Sequence, residues 1–227
     1  LLGNLLEYRD KVGTPSGRLV TSAVYDYLSR PLKTTSLDAG ERFVLRDAAD
    51  MPVYVTDGRG ALTLSKSDSA GRPQKTWATD MAGEPVTLRV VLQYGDQSIP
   101  DDATRTVRRN NNLLGRLMTQ RDEAGQLSFA AYDFKGNISS RSRQVIKDDA
   151  IMAVFAGLPA AGKWTVLPYR VDWSKSMADA DLDSTIFSTD AGFDALNRVK
   201  WTLYPAPGGT RSKLVPTFNE AGALPSL

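Results

Sequence analysis

Tyr132-Asp133-Phe134-Lys135-Gly136-Asn137 is the stretch that decides the fold, because it places a Gly three residues after an Asp. In a type I turn, an Asp at the first position accepts hydrogen bonds from the backbone amides ahead of it. The fourth position often takes a positive φ, which Gly adopts without steric cost. The stretch therefore predicts a tight turn that begins at Asp133 and ends at Gly136.

The same Asp-x-x-Gly pattern recurs along the chain, so the sequence contains an internal repeat. The first positions carry Asp or Asn and are Asp10, Asp26, Asp47, Asp57, Asp68, Asn112, Asp122, Asp133, Asp194 and Asn219. The fourth positions are Gly13, Ser29, Asp50, Gly60, Gly71, Gly115, Gly125, Gly136, Asn197 and Gly222. Asn and Asp also tolerate a positive φ, and Ser29 is the one poor fit to the pattern.

The spacing between these turns predicts strands. The first positions of three successive turns, Asp47, Asp57 and Asp68, lie 10 and then 11 residues apart. The same two intervals recur in the three turns that end with the one at Asp133. A four-residue turn leaves about six or seven residues per unit, roughly 20 Å of extended chain, which is a normal strand length. Regular hairpins of this kind predict an all-β, antiparallel fold.

Residues between the turns alternate in polarity, as strands with one covered face do. The alternation is regular at Val86, Leu88, Val90, Leu92 and Tyr94. Short helical turns are compatible with residues 101–107 and 179–187, but neither segment is long enough to organise a core.

Composition excludes several kinds of catalytic site. The 227 residues include no Cys and no His, so Ser-His-Asp and Cys-His mechanisms and the usual zinc sites cannot be built from them. The formal net charge is only +2, from 28 Lys and Arg against 26 Asp and Glu. Such a weak field does not indicate nucleic-acid binding. No apolar run approaches the roughly 18 residues that indicate a membrane span.

Several segments resemble the YD repeat of RHS-type proteins, and they begin at Tyr25-Asp26, Tyr132-Asp133 and Phe193-Asp194. A more specific similarity is to the B component of insecticidal toxin complexes, the Tc toxins. It rests on residues 111–117, 121–125 and 131–138, followed by Val171-Asp172-Trp173-Ser174.

In that family the B and C components form a closed shell of spiralling strands around a cytotoxic C-terminal polypeptide, until a pore-forming A component delivers it. The resemblance implies that this chain is part of such a spiralling hollow β-shell and encapsulates, with no catalytic site and no cofactor. It also implies secretion from a bacterium. The implied partners are the C component with its enclosed polypeptide and, through the full-length protein, the A component. This segment is expected to contact neither nucleic acid nor membrane.

Two features of the family are not recognisable in this sequence. One is the Asp-Pro-x-Gly signature of its self-cleaving segment, and the other is the propeller that docks the B component to A. Cleavage and docking are therefore not assigned to these residues. The alternative function is that of an RHS-type cell-surface or secreted protein, which acts in carbohydrate binding or contact-dependent bacterial competition.

The register of the repeat divides the chain into three segments of one structural unit. We predict a YD/RHS-repeat shell segment over residues 1–150, an irregular excursion over 151–190, and a resumed repeat shell over 191–227. Gly3-Asn4-Leu5 matches Gly136-Asn137-Ile138, so we also expect a piece of a longer array with unpaired edges at its terminal strands.

The candidate site residues are structural, and they are turn residues and repeat aromatics. The turn residues are Asp26, Asp47, Asp57, Gly60, Asp68, Gly71, Asn112, Gly115, Asp122, Gly125, Asp133, Gly136, Asp194, Asn197 and Gly222. The aromatics Tyr25, Tyr132 and Phe193 each stand just before a turn Asp. They could line a sugar-binding face, but their fixed place favours packing between neighbouring hairpins.

Three other patterns have simpler interpretations than the sites they resemble. Residues 157–163 read like a phosphate-binding loop, but Trp164 stands where a Ser or Thr should bind magnesium, which favours an ordinary loop. Asp179, Asp181, Asp183 and Asp190 fall at positions 1, 3, 5 and 12 of a calcium-loop pattern. Ser184 replaces the Gly of position 6 and Asp replaces the Glu of position 12, which favours a solvated acidic loop. The adjacent pairs Asp101-Asp102 and Asp148-Asp149 are typical of a surface.

Overall fold

The computed structural model describes residues 3–11, 16–155, 169–175 and 179–223. These residues form fourteen β-strands, two short α-helices and one 3₁₀ turn. Every described strand pairing is antiparallel, which confirms the predicted all-β, antiparallel fold. The chain divides into two compact units, residues 1–89 and 90–227.

The first unit is a series of strands that pair in chain order. They are β1 (Glu7–Asp10), β2 (Arg18–Tyr25), β3 (Pro31–Ser36), β4 (Gly40–Arg46), β5 (Pro52–Thr56), β6 (Leu62–Ser67) and β7 (Pro73–Thr79). Each strand pairs with the next one, as hairpins joined by tight turns require. The strand β8 (Thr87–Tyr94) begins in this unit and ends in the second.

The second unit continues the same arrangement. Its further strands are β9 (Leu117–Asp122), β10 (Gly125–Tyr132), β11 (Ile138–Val145), β12 (Phe187–Phe193), β13 (Val199–Leu203) and β14 (Lys213–Leu214). The end of β8 pairs with β9, and each later strand pairs with its successor. The strand β12 begins at Phe187, inside the range predicted for the excursion, because residues 187–190 pair with β11.

Short helices lie in two of the connections. The helix α1 (Asp102–Asn110) joins β8 to β9, where the sequence is compatible with a helical turn. The helix α2 (Asp148–Met152) and a 3₁₀ turn (Ala153–Phe155) follow β11. The described part of residues 179–187 contains no helix, because it forms turns and a bridge and then enters β12.

Few of the described side chains are buried. In the first unit Leu88 is the one buried hydrophobic residue among those described, at 4% exposed. The second unit buries more, and its buried hydrophobic residues are Leu113, Phe129, Ile146, Val171 and Trp173. Val171 and Trp173 belong to the predicted excursion, so this segment supplies core to the second unit. Burial of such side chains drives packing, and the strands alone bury little.

The strands of the first unit place different side chains on the two faces of their sheet. Directly opposed residues form one row across β4 to β7, and we call its side the apolar face: Leu45, Tyr54, Leu64 and Trp77. The adjacent row points to the other side, which we call the groove face: Val44, Val55, Thr63 and Ala78. Successive residues of a strand point to opposite faces, so the alternation separates the two surfaces.

Among the described residues, no helix has the length and apolar character needed to cross a membrane.

Candidate functional site: the repeat turns

The turn at Asp26 shows the hydrogen-bond network that most of the repeat turns share. The amide of Asp26 donates to the carbonyl O of Arg30 at 2.9 Å, and the amide of Ser29 donates to the carbonyl O of Asp26 at 3.0 Å. The Asp26 carboxylate Oδ1 accepts from the amides of Leu28 and Arg30 at 2.8 and 2.9 Å. The side chain therefore satisfies donors that the tight turn leaves without a strand partner.

The same main-chain bonds close the turns that begin at Asp26, Asp47, Asp57, Asp68, Asp133, Asp194 and Asn219. Their fourth residues all hold a positive φ: Ser29 62°, Asp50 64°, Gly60 80°, Gly71 76°, Gly136 98°, Asn197 62° and Gly222 78°. Ser29 thus takes the backbone conformation of the others although its side chain fits the pattern poorly. The Asp26 carboxylate bonds to the residues on both sides of Ser29, namely the Leu28 amide and the amide and Nε of Arg30.

A fifth turn position also contributes, and the Asp-x-x-Gly pattern does not include it. Arg30 Nε donates to Asp26 Oδ2 at 2.6 Å, and Arg72 Nε donates to Asp68 Oδ2 at 2.8 Å. The equivalent bonds at Asp133 and Asp194 come from Asn137 Nδ2 at 2.8 Å and Arg198 Nε at 2.7 Å. The recurrence of Arg four residues after the turn Asp is a sequence signal that would have identified this position.

Hydrogen bonds lower the pKa of these turn carboxyls. At Asp26 the backbone amide of Arg30 is the main cause of a lowered pKa. At Asp68 the main cause is the side chain of Arg72. The pKa is also lowered at Asp133, first by the Asn137 side chain, and at Asp194, first by the Arg198 backbone amide. The turns therefore favour the ionised Asp.

Asn112 does not act as the first residue of a turn of this kind. Its own φ is 53°, because it follows the end of α1 and its amide donates to the carbonyl O of Arg109. The Asn112 Nδ2 donates to the carbonyl O of Tyr132 at 2.9 Å. Gly115 has the expected positive φ of 75°. The bond that closes this turn runs from the Arg116 amide to the carbonyl O of Leu113, one residue later in the chain than the other turns predict. The preceding helix displaces this turn.

Asp122 and Gly125 belong to a tighter hairpin. They lie directly opposite each other in the β9–β10 pairing, so only two residues connect the strands. Asp122 Oδ1 accepts from the Ala124 amide at 2.9 Å and from Arg143 Nη2 at 2.6 Å. Burial tends to raise the pKa of Asp122, but the Arg143 and Ala124 hydrogen bonds outweigh it and the pKa is lowered. Gly125 has φ 125°, and a Cβ there would collide with the Gln144 carbonyl.

The turn predicted at Asp10 lies in part outside the described residues, because Gly13 is not among them. Asp10 itself is opposite Arg18 in the β1–β2 pairing, and Arg18 Nη2 donates to its Oδ2 at 2.8 Å.

The repeat aromatics differ in how they are held. Tyr25 donates its hydroxyl to the carbonyl O of Leu5 at 2.9 Å, and Tyr132 donates its hydroxyl to the carbonyl O of Leu117 at 2.8 Å. Phe129 stacks on Tyr132 with 5.9 Å between ring centroids. Both acceptors, Leu5 and Leu117, lie before the strand that carries the tyrosine. This arrangement is typical of an aromatic side chain that packs across to a neighbouring segment. Phe193 ends β12 and has no hydroxyl to donate.

Contacts also join one repeat turn to another. In the first unit, Arg30 Nη1 donates to Asp50 Oδ1 at 2.9 Å. In the second unit, Asn137 Nδ2 donates to Asn197 Oδ1 at 3.1 Å, and Lys135 Nζ donates to the carbonyl O of Ala195. The turns at one edge of each unit therefore support one another.

The acidic residues of the calcium-loop pattern do not come together in one site. Asp179 pairs with Arg121 at 2.8 Å, and Asp190 lies in β12 and pairs with Arg211 at 2.6 Å. Asp183 Oδ1 accepts the Thr185 amide at 2.6 Å. Among the described residues, no group of acidic side chains is placed to hold a metal ion. The loop at 157–163 lies outside the described residues.

The two pairs of adjacent Asp residues lie at the N-terminal ends of the two α-helices. Asp101 caps α1, since its Oδ1 accepts from the Thr104 amide at 2.6 Å, and this bond is the main cause of its lowered pKa. Asp102 lies in the first turn of α1, and Asp148 and Asp149 lie in the first turn of α2. Acidic residues are favoured there by the helix dipole.

Comparison with known proteins gives structural similarity only. No family model matches the chain, and no curated protein is similar to it. The crystal structure of TcdB2-TccC3-TEV matches with a TM-score of 0.67 and 18% identity, over 91% of this chain and 9% of that one. A mutant Photorhabdus luminescens Tc holotoxin pore matches with a TM-score of 0.65 and 16% identity, over 91% of this chain and 10% of that one.

The crystal structure of TcdB2-TccC3 also matches, with a TM-score of 0.62 and 17% identity over 91% of this chain and 10% of that one. The chain therefore spans about a tenth of the length of the chains it matches. At these identities the likeness shows the fold alone. This chain has the fold of a portion of the Tc toxin TcdB2-TccC3 structures, as the resemblance of its repeat turns to the shell-forming components of that family predicts.

Proposed function

We propose that this chain is a structural segment of a toxin-complex shell that encapsulates a cytotoxic polypeptide for delivery. The observation that carries the proposal is the fold likeness to TcdB2-TccC3, which extends over 91% of the chain. The repeated Asp turns support it independently, because they build strand after strand at a regular spacing.

The exposure of hydrophobic side chains also supports a role as part of a shell wall. Large hydrophobic side chains such as Val24, Phe43 and Leu45 in the first unit are 37% to 55% exposed. A single layer of strands leaves both of its faces accessible, whereas a sheet in an ordinary domain covers at least one of them. A wall has to be thin and extensive, and its stability then comes from strand pairing and turns more than from a central core.

The partners follow from the same proposal. They are the C component with its enclosed cytotoxic polypeptide and, through the full-length protein, a pore-forming A component. The protein would be secreted from a bacterium, and this segment would contact neither nucleic acid nor membrane and would perform no catalysis.

The alternative is an RHS-type protein that binds carbohydrate at a cell surface or acts in contact-dependent competition. Sugar binding by the repeat aromatics would use their free faces and hydroxyls. The hydroxyls of Tyr25 and Tyr132 already donate to backbone carbonyls, and Tyr132 is stacked on Phe129. These contacts favour the shell over the adhesive surface.

The test is a protection experiment on the full-length protein co-expressed with its partner chain. We expect electron microscopy to show a hollow particle and an added protease to leave the enclosed polypeptide intact. Chemical opening of the particle should then expose that polypeptide to digestion. A solid particle, or a polypeptide digested as fast as its free form, would contradict the proposal. Selective binding to a glycan array would favour the alternative.

A further inference from the structure

Two shallow grooves on the groove face of the first unit share one arginine. The first has a volume of about 260 Å³ and is lined in part by Leu32, Thr34, Arg42, Val44 and Arg46. The second has a volume of about 300 Å³ and is lined in part by Arg42, Val55, Asp57 and Thr63. Thr34 lies directly opposite Arg42 in the β3–β4 pairing, so both belong to the same face.

The arginines of these grooves retain hydrogen-bonding capacity. Among the described residues, the Arg42 guanidinium has no ion pair and no hydrogen-bond partner. Arg46 donates through Nη1 to the carbonyl O of Asp50 at 3.0 Å, but its Nε is buried and has no partner. The buried Arg46 Nε is closed to a ligand, so the unused donors that a ligand oxygen can reach here are those of the exposed Arg42 guanidinium.

Acidic groups affect the two grooves differently. Asp57 lies in the lining of the second groove, so its carboxylate offsets the charge of Arg42 there, and its Oδ1 also accepts from the amides of Arg59 and Ala61. Among the described residues, the lining of the first groove contains Arg42 and Arg46 and no acidic residue. Asp50 Oδ1 lies 3.6 Å from Arg46 Nη1, but it is shared with Arg30 at 2.9 Å. The first groove is therefore positive, and its complement is a carboxylate.

The second unit contains a groove of similar chemistry. Its volume is about 440 Å³, and its lining includes Ile138, Arg141, Thr189 and Phe193. The Arg141 side chain also has no partner among the described residues. Each unit thus places an unpaired arginine in a groove beside threonine and apolar side chains.

We propose that the first groove, together with the groove of the second unit, binds acidic side chains of an extended polypeptide, and that this occupant is the polypeptide enclosed by the shell. The inference rests on the proposed function. Arg42 and Arg46 are about 13 Å apart along β4, the length of about four extended residues. Guanidinium groups hold carboxylates with paired hydrogen bonds, while Leu32 and Val44 contact apolar atoms between them. The groove face, and not the apolar face, is then the side turned to the cargo.

The first arm of the test compares two adjacent residues that point to opposite faces. A photo-crosslinking amino acid replaces either Val44 on the groove face or Leu45 on the apolar face of the full-length protein, assembled with its partner and enclosed polypeptide. We expect the enclosed polypeptide to crosslink at least about fivefold more through position 44. Peptides mapped at the crosslink should contain Asp or Glu. If the particle still contains the enclosed polypeptide, equal crosslink yields at the two positions, or a higher yield through position 45, would overturn the inference.

The second arm tests the charge. Arg42→Gln should lower the crosslink yield through position 44 about fivefold, the effect of losing one partly exposed charge pair. Arg59→Gln removes the same charge from an exposed turn outside the groove linings and should leave the yield unchanged. An unchanged yield in Arg42→Gln would overturn the inference. A particle that contains no enclosed polypeptide would instead show that the proposed function itself fails.

Discussion

The side-chain amide of Asn137 donates a hydrogen bond to Oδ1 of Asn197 across 3.1 Å, and so links two repeat turns that are 60 residues apart in the chain. Asn197 also holds φ 62°, so one residue both closes its own turn and supports another. The turns at Asp133 and Asp194 are therefore connected within the second unit, as neighbouring units of a repeat protein are.

A double-mutant cycle on this pair should reveal the link. Asn197→Gly removes the acceptor and keeps a residue that adopts positive φ freely, and Asn137→Ala removes the donor. We expect the two losses of unfolding free energy to be non-additive by about 0.5 to 1 kcal/mol, measured by urea denaturation of the chain. Strict additivity would mean that the turns are energetically independent.

The loss of stability on substitution of a turn glycine should depend on the atoms that surround it. An added Cβ at Gly115 meets nothing within 4 Å, whereas at Gly125 it collides with the carbonyl O of Gln144. Gly115→Asn should be mild and Gly115→Val should cost about 1 to 3 kcal/mol, because a β-branched residue is strained at positive φ. At Gly125, Asn should be as harmful as Val.

The control for this ranking is Gly71, which has φ 76° and an open surrounding like that of Gly115. Its Asn and Val variants should reproduce the Gly115 result in the urea denaturation midpoint. A mild effect of Asn at Gly125 would show that the hairpin relaxes, and the steric argument would have to be withdrawn.

The turns could be predicted from sequence because their chemistry is local. Asp26, Asp68 and Asp133 each bond to amides within four residues, so a short pattern contains most of the structure. Asn112 and Asp122 departed from the pattern for reasons outside it. The end of α1 displaced the first, and a two-residue hairpin tightened the second.

Contacts over long separations could not be predicted in the same way. Trp173 packs against the second unit by donating Nε1 to the carbonyl O of Asp122 at 3.3 Å, with the Arg121 guanidinium 5.2 Å from its ring centroid. The separation of 51 residues leaves no local signal, and the surrounding sequence has no repeat register. The sequence therefore indicated an excursion in this region, but not that part of it would be core.

Acid should destabilise the fold through the turn carboxyls. The folded-state pKa values of Asp26 and Asp68 are lowered, so their contribution to stability is fully present above the unfolded pKa of about 3.9. It is lost as the pH falls through the lower folded-state values. We expect the urea midpoint to decline below about pH 4, with a smaller decline in Asp68→Asn. Asp38→Asn, at an exposed position where the side chain has no hydrogen bond or ion pair among the described residues, is the control and should keep the full decline.

Removal of the Tyr132 hydroxyl distinguishes a packing role from a ligand-binding one. The hydroxyl donates to the carbonyl O of Leu117 at 2.8 Å, so Tyr132→Phe leaves that carbonyl without its partner and should cost about 1 kcal/mol in unfolding free energy. Tyr27 is fully exposed in the turn that begins at Asp26, and Tyr27→Phe should cost nothing measurable. A sugar-binding aromatic would behave in the opposite way, because its hydroxyl would be free in the unliganded protein and its loss would change binding but not stability. Equal urea midpoints for Tyr132→Phe, Tyr27→Phe and the parent would remove the packing argument and return the aromatics to the adhesive interpretation.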